Sequence, residues 1–114
     1  MDIDKEVLKG HIDVLLLSLL KTRDLYGYEI SKLVRVKSNQ LFELKEGTMY
    51  LSLKRLEKSK YIESYWGKEN GPGGRRKYYR LTDNGINHYE KKKHEWELVK
   101  MIMDTFLGEG DHFD

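Results

Sequence analysis

Thr48, Tyr50, Leu51, Ser52, Lys54 and Arg55 lie in one short stretch, Glu46 to Lys58, in which Met49, Leu53 and Leu56 recur at helical spacing. On a helix those three apolar residues form a buried stripe. Thr48, Leu51, Ser52 and Arg55 then share a different face, flanked by Tyr50 and Lys54. That face carries hydroxyl donors and acceptors, cations and one methyl-rich contact, the inventory that base edges and phosphates in a major groove require. Past Lys60 the period changes to two, in Tyr61 to Trp66 and again in Lys77 to Leu81, which is a hairpin signal with a long tip from Gly67 to Arg76. The tip holds Gly67, Gly71, Pro72, Gly73 and Gly74, so its backbone can lie close against another surface. Arg75, Arg76 and Lys77 emerge at its base. Alone, such a basic run reads equally as a solvated hairpin or a phosphate contact. Beside a recognition helix it reads as a wing that touches DNA.

Other chemistries find no support. The chain has no cysteine, hence no disulfide, thiolate metal site or cysteine nucleophile. His11, His88, His94 and His112 share no metal-ligand spacing, and His94-Glu95 lacks the second histidine of a helical zinc site. No serine, histidine and acid constellation suggests a nucleophile. The expectation is a non-enzyme with no cofactor.

At 114 residues the chain has room for one core and no separate catalytic domain. Charged residues make up 35% and hydrophobic ones 39%, which suits a soluble protein with much surface. The apolar run Val14 to Leu20 is too short for a membrane span, and the acidic start Met1-Asp2-Ile3-Asp4 is unlike a signal peptide. A cytoplasmic location without a membrane partner is expected. The net charge of +2 is unevenly placed: Met1 to Leu44 carries a surplus of 0, Lys45 to Arg80 of +6, and Leu81 to Asp114 of −4. A positive centre of this kind is the electrostatic footprint for a polyanion.

The elements that must position this centre follow from the same periodicities. A first helix is expected from about Asp4, its N-cap, to about Lys21, with Leu8, Ile12, Leu15 and Leu19 on one line, Val7 and Val14 on a second, and Leu16 and Leu20 on a third. A helix apolar nearly all round needs partners on several sides, and a second copy of the chain is the economical source. A second helix is expected from about Tyr26 to Lys37 with Ile30, Leu33 and Val34 inward. Ser38-Asn39-Gln40 is a turn, and Leu41 to Leu44 is too short for a helix and reads as a strand pinned beside the wing. Lys45 is a poor N-cap for the helix it precedes. The order helix, helix, short strand, helix, hairpin is that of a winged helix-turn-helix, mainly α with a small β-hairpin.

Thr82 is the expected N-cap of a final helix running to about Leu107, about 25 residues or roughly 37 Å. Tyr89, Trp96 and Met103 repeat at seven, Val99 and Phe106 repeat at seven on a neighbouring line, and Ile102 widens the stripe. So long an amphipathic helix on a small domain has the pattern of a dimerisation arm, with Val99, Ile102, Met103 and Phe106 as its contacts. Lys92 in a core-like slot loosens its start. The division is therefore residues 1–82 for DNA binding, 83–107 for dimerisation and 108–114 as a flexible acidic tail. Trp96 is open to two readings, dimer core or a platform for a flat ligand. Lys93 and Lys100, three before and four after it, flank the same face. Tyr78 and Tyr79 are read as strand packing.

Tyr26-Gly27-Tyr28-Glu29-Ile30, Gly47-Thr48-Met49-Tyr50 with Leu53, Arg55-Leu56-Glu57 and Tyr61-Ile62, then Gly74-Arg75-Arg76-Lys77-Tyr78-Tyr79-Arg80-Leu81-Thr82 with Gly85, resemble the PadR family of bacterial transcriptional regulators. The likeness covers nearly the whole chain, and the single C-terminal helix resembles the small subfamily. It implies a homodimer whose paired winged helices bind a palindromic operator, usually as a repressor. In several small members of that family flat aromatic compounds bind between protomers, stacked on a tryptophan of the last helix. Trp96 falls on that position, and residues matching Val7 and Val14 line the same cavity. The competing reading is a winged helix used only for protein contacts, which calls for a neutral recognition face and a short wing.

Overall fold

Leu16, Leu17, Leu19 and Leu20 lie on one helix, α1 (Ile12–Thr22), and all four are buried. Around it the computed structural model, which describes Leu8 and residues 10–69 and 73–108, arranges strand β1 (Leu25–Tyr26) and helices α2 (Gly27–Lys37) and α3 (Glu46–Lys58). The hairpin β2 (Ile62–Trp66) and β3 (Lys77–Leu81) and the long helix α4 (Asp83–Leu107) complete the fold. The core joins the α1 leucines to Leu25, Ile30, Val34, Leu44, Met49, Leu53, Leu56, Ile62 and Tyr79. Among the described residues no helix is long and apolar enough to cross a membrane, and no cluster of metal-ligating side chains forms.

Two expectations about the frame are corrected. The first helix does not run unbroken to Lys21. Gly10 and His11 form a turn in which the His11 N–H donates to the Leu8 carbonyl at 2.8 Å, and α1 starts at Ile12. Glycine is a poor helix-interior residue, by about 1 kcal/mol relative to alanine, so the interruption falls where propensity is weakest. Asp4 and Val7 lie outside the described residues, as do residues 109–114 of the acidic tail. The second correction concerns Leu41 to Leu44, which is not a strand. Asn39 and Gln40 turn the chain with φ of 54° and 67°, and the Phe42 N–H is satisfied locally by Ser38 Oγ at 3.1 Å. The third strand is instead Leu25–Tyr26, giving the antiparallel order β1-β3-β2 with Leu25 opposite Tyr79 and Tyr26 opposite Tyr78.

The junction between hairpin and α4 is tightly built. Thr82 caps α4 as expected, its Oγ1 accepting from Gly85 N–H at 3.0 Å, while its own N–H donates to the Tyr61 carbonyl at 3.1 Å. Gly85 is buried against that carbonyl, and a Cβ there would lie 1.9 Å from the oxygen. Gly85→Ala is therefore expected to destabilise the fold by about 3 kcal/mol, because backbone rather than a flexible side chain must give way. A melting temperature within a degree or two of the parent would contradict this.

On the same junction His88 stacks on Tyr61 with ring centroids 3.9 Å apart and planes 8° from parallel. Burial, then the neighbouring ammonium groups of Lys92 and Lys91, hold the imidazole below its ordinary range. The unfolded chain then binds the proton more readily than the folded one. The contribution is fully present above the unfolded value of about 6.5 and is lost as the pH falls below it. Denaturant midpoints at pH 7.5 and 5.5 should differ by less in His88→Phe than in the parent.

The first turns of α4 are anchored to α1. Lys21 Nζ lies 2.5 Å from Glu90 and 5.2 Å over the Tyr89 ring, which packs on the core. Beyond this point α4 projects, and the described chain measures 66 × 32 × 21 Å. Trp96, Val99, Ile102, Met103 and Phe106 are all exposed on it, Phe106 by 78%.

Candidate nucleic-acid interface

Helix α3 crosses α1 and α2 with Met49, Leu53 and Leu56 inward, as the spacing requires. Its first turn has no side-chain cap, since Lys45 makes none. Thr48, Tyr50, Leu51, Lys54 and Arg55 are exposed, whereas Ser52 is 0% exposed. The placement of Ser52 on the outer face is thus corrected. It stands three residues after Met49 and four before Leu56, on the buried stripe itself, and its hydroxyl donates to the Asp13 carboxylate of α1. Arg55 reaches the same oxygen with Nη2 at 2.9 Å. Asp13 belongs to no motif or periodic stripe of the sequence. Its signal was an acid between Ile12 and Val14 in an otherwise apolar segment.

Tyr50 leans over the N-terminus of α2. A Cβ at Gly27 would lie 2.3 Å from its hydroxyl, so a larger residue there would push the Tyr50 ring from this seat. Beside this contact a cleft of about 200 Å³ is lined by Tyr28, Ser31, Glu46 and Tyr50. Tyr28 is 67% exposed at the rim and is a second residue that spacing arguments passed over.

The wing is held as a rigid arm. Tyr65 lies opposite Tyr78, which lies opposite Tyr26, so one row of tyrosines crosses all three strands with ring centroids 5.6 and 5.5 Å apart. Both outer members are covered by guanidinium groups, Arg80 over Tyr65 at 5.0 Å and Arg76 over Tyr26 at 4.7 Å. Tyr65 donates to Asp24 and Tyr78 to Glu69, each at 2.5 Å, and these bonds raise both phenols above their ordinary range. The Tyr78 bond in turn holds the Glu69 carboxyl below its usual range. Tyr79 points the other way into the core, so Tyr78 and Tyr79 are strand packing.

At the base of the tip the Gly67 N–H donates to the Arg76 carbonyl at 2.7 Å, and Arg75 Nε donates to the Gly67 carbonyl at 3.0 Å. Gly74 adopts φ of +74°, a left-handed turn suited to glycine. Residues 70–72 of the tip lie outside the described residues. Gly73, Gly74, Arg75, Arg76 and Lys77 are all exposed. Among the described residues none of Lys54, Arg75, Arg76 and Lys77 forms an ion pair, whereas Arg80 is bound to Glu63 and Arg55 to Asp13. The exposed cations Lys54, Arg75, Arg76 and Lys77 thus present their charge on α3 and the wing.

The residues expected around Trp96 are only partly brought together. Trp96 is 46% exposed, and its nearest aromatic neighbour is His11, with ring centroids 6.5 Å apart. Val14 is half-buried on α1, and Val7 lies outside the described residues. Lys93 is exposed, but Lys100 is bound to Asp104 at 2.7 Å.

A helix-turn-helix that presents an exposed polar helix beside a basic antiparallel wing defines the winged helix-turn-helix class of DNA-binding regulators. Residues 16–91 match the model of the transcriptional regulator PadR-like family. A transcriptional regulator from Clostridium thermocellum is similar with 47% identity and a TM-score of 0.84, over 92% of this chain and 98% of that one. A PadR family transcription regulator from hypervirulent Clostridium difficile shares 52% identity with a TM-score of 0.77, over 87% of this chain and 100% of that one. An uncharacterised protein of Lysinibacillus sphaericus is 41% identical over 90% of this chain and 93% of its own length. The chain belongs to the PadR-like family of transcriptional regulators.

Proposed function

We propose that the protein is a homodimeric repressor that binds a palindromic operator and is released by a planar aromatic ligand held near Trp96. The observation that carries the DNA half of this reading is the grouping of unpaired cations on one recognition helix and its wing. Thr48, Tyr50 and Leu51 would meet base edges, with Lys54, Arg75, Arg76 and Lys77 on phosphates and Gly73 and Gly74 allowing close approach. Residues 1–82 form the DNA-binding unit in this reading and 83–107 the pairing helix. The same cations speak against a winged helix used only for protein contacts.

The ligand half rests on the exposure of Trp96 at the start of the projecting part of α4. In a two-fold dimer a residue on the pairing stripe lies near its symmetry mate, so a flat molecule would slot between two indoles. Stacking of this kind is worth about 0.5 to 1.5 kcal/mol per ring pair beyond the area buried, which suits modest and promiscuous affinity. Lys93 favours neutral or anionic compounds, while Lys100 contributes less because Asp104 holds it. The test is fluorescence titration with planar aromatic dyes in a Trp66→Phe background, which removes the other tryptophan. Ligand should quench Trp96, and Trp96→Ala should lose binding yet keep the dimer and its DNA affinity. Unchanged binding of the dye by Trp96→Ala, followed by the dye's own signal, would return Trp96 to dimer core.

A further inference from the structure

One carboxylate on α1 grips the recognition helix at two points. Asp13 Oδ1 accepts the hydroxyl of fully buried Ser52 and the Nη2 of Arg55 at 2.9 Å. The Asp13 side chain is 35% exposed and that of Arg55 58%, so the pair stands at the edge of the face that α3 turns to solvent. A carboxylate holding a guanidinium at this distance competes with a phosphate for the same donors. Arg55 is thus the cation on α3 whose charge is answered inside the protein, next to Lys54, which forms no ion pair among the described residues, and one turn after Leu51.

We infer that Asp13 is a positioning residue of the DNA interface: through Ser52 it fixes how α3 is rolled on α1, and through Arg55 it withholds one cation from the phosphate backbone. The inference rests on the DNA-binding reading above and deepens it. With Arg55 restrained, less of the affinity of α3 comes from sequence-blind charge, and more from the fit of its exposed side chains to base edges.

The test is binding of the full chain to a random-sequence duplex and to a selected operator, followed by fluorescence anisotropy between 50 and 200 mM salt. Asp13→Asn keeps an acceptor for Ser52 and discards the charge. It should steepen the plot of log affinity against log salt by about 0.9 on the random duplex, the value for one additional phosphate contact. Binding should tighten by about threefold at the lower salt on both duplexes, because a phosphate contact is blind to sequence. Arg55→Ala alone should leave the parent slope, and Asp13→Asn with Arg55→Ala should return to it. The inference is overturned if Asp13→Asn leaves the slope unchanged, if its steeper slope survives removal of Arg55, or if Arg55→Ala alone flattens the slope by about one contact. Should melting curves show that Asp13→Asn does not fold, the exposed Arg55→Ala variant decides the matter by its slope. A parent protein without salt-dependent binding to any duplex would instead overturn the DNA-binding reading itself, and the inference with it.

Discussion

Val99→Asp combined with Phe106→Asp is expected to turn a dimer into separate chains and to abolish operator binding in the same step. Both residues lie on the projecting part of α4, with Ile102 and Met103 between them, and all are exposed in the single chain. Fully burying each such side chain against a partner stabilises by about 1.5 to 3 kcal/mol, so a carboxylate at two of these positions removes the largest apolar contribution and adds two desolvation costs. Because neither change touches the core, the variant chain should keep its helical signal. Sedimentation at micromolar concentration should then report a species near the 13.6 kDa of one chain. A parent protein that sediments as a monodisperse monomer, or a double variant that still binds its operator as tightly, would contradict the pairing assigned to α4.

Arg75→Ala with Arg76→Ala should weaken binding to every duplex by a similar factor and flatten the salt slope by about 1.8, the loss of two phosphate contacts. Thr48 and Tyr50 changes should instead alter the preference among sites. The two wing arginines are not equivalent in what holds them. Arg75 is fixed by the Gly67 carbonyl and Arg76 lies over Tyr26, so loss of Arg76 also frees one end of the tyrosine row. An unchanged slope with both arginines removed would take the wing off the DNA.

The stripe of Met49, Leu53 and Leu56, the hairpin strands and the Thr82 cap were legible because each is a local pattern. Ser52 was not, since small polar residues on a stripe are ambiguous until the partner is known, and its partner Asp13 lies 39 residues earlier. Similarly, a strand of two residues has no period to detect, so Leu25–Tyr26 carries no sequence signal, whereas the apolar Leu41 to Leu44 imitates one. The tyrosine row was hidden for the same reason, because its register depends on pairing across all three strands. The apolar stripe of α4 was legible from its heptad spacing, and in the single chain it is exposed.

The central claim, that α3 and the wing read a two-fold operator as a pair, is tested most directly by selecting bound sites from a random DNA pool. The account predicts recovery of an inverted repeat whose half-site centres lie about 10 base pairs, or a multiple of that, apart. Recovery of an asymmetric single site, or no enrichment over the starting pool, would contradict it.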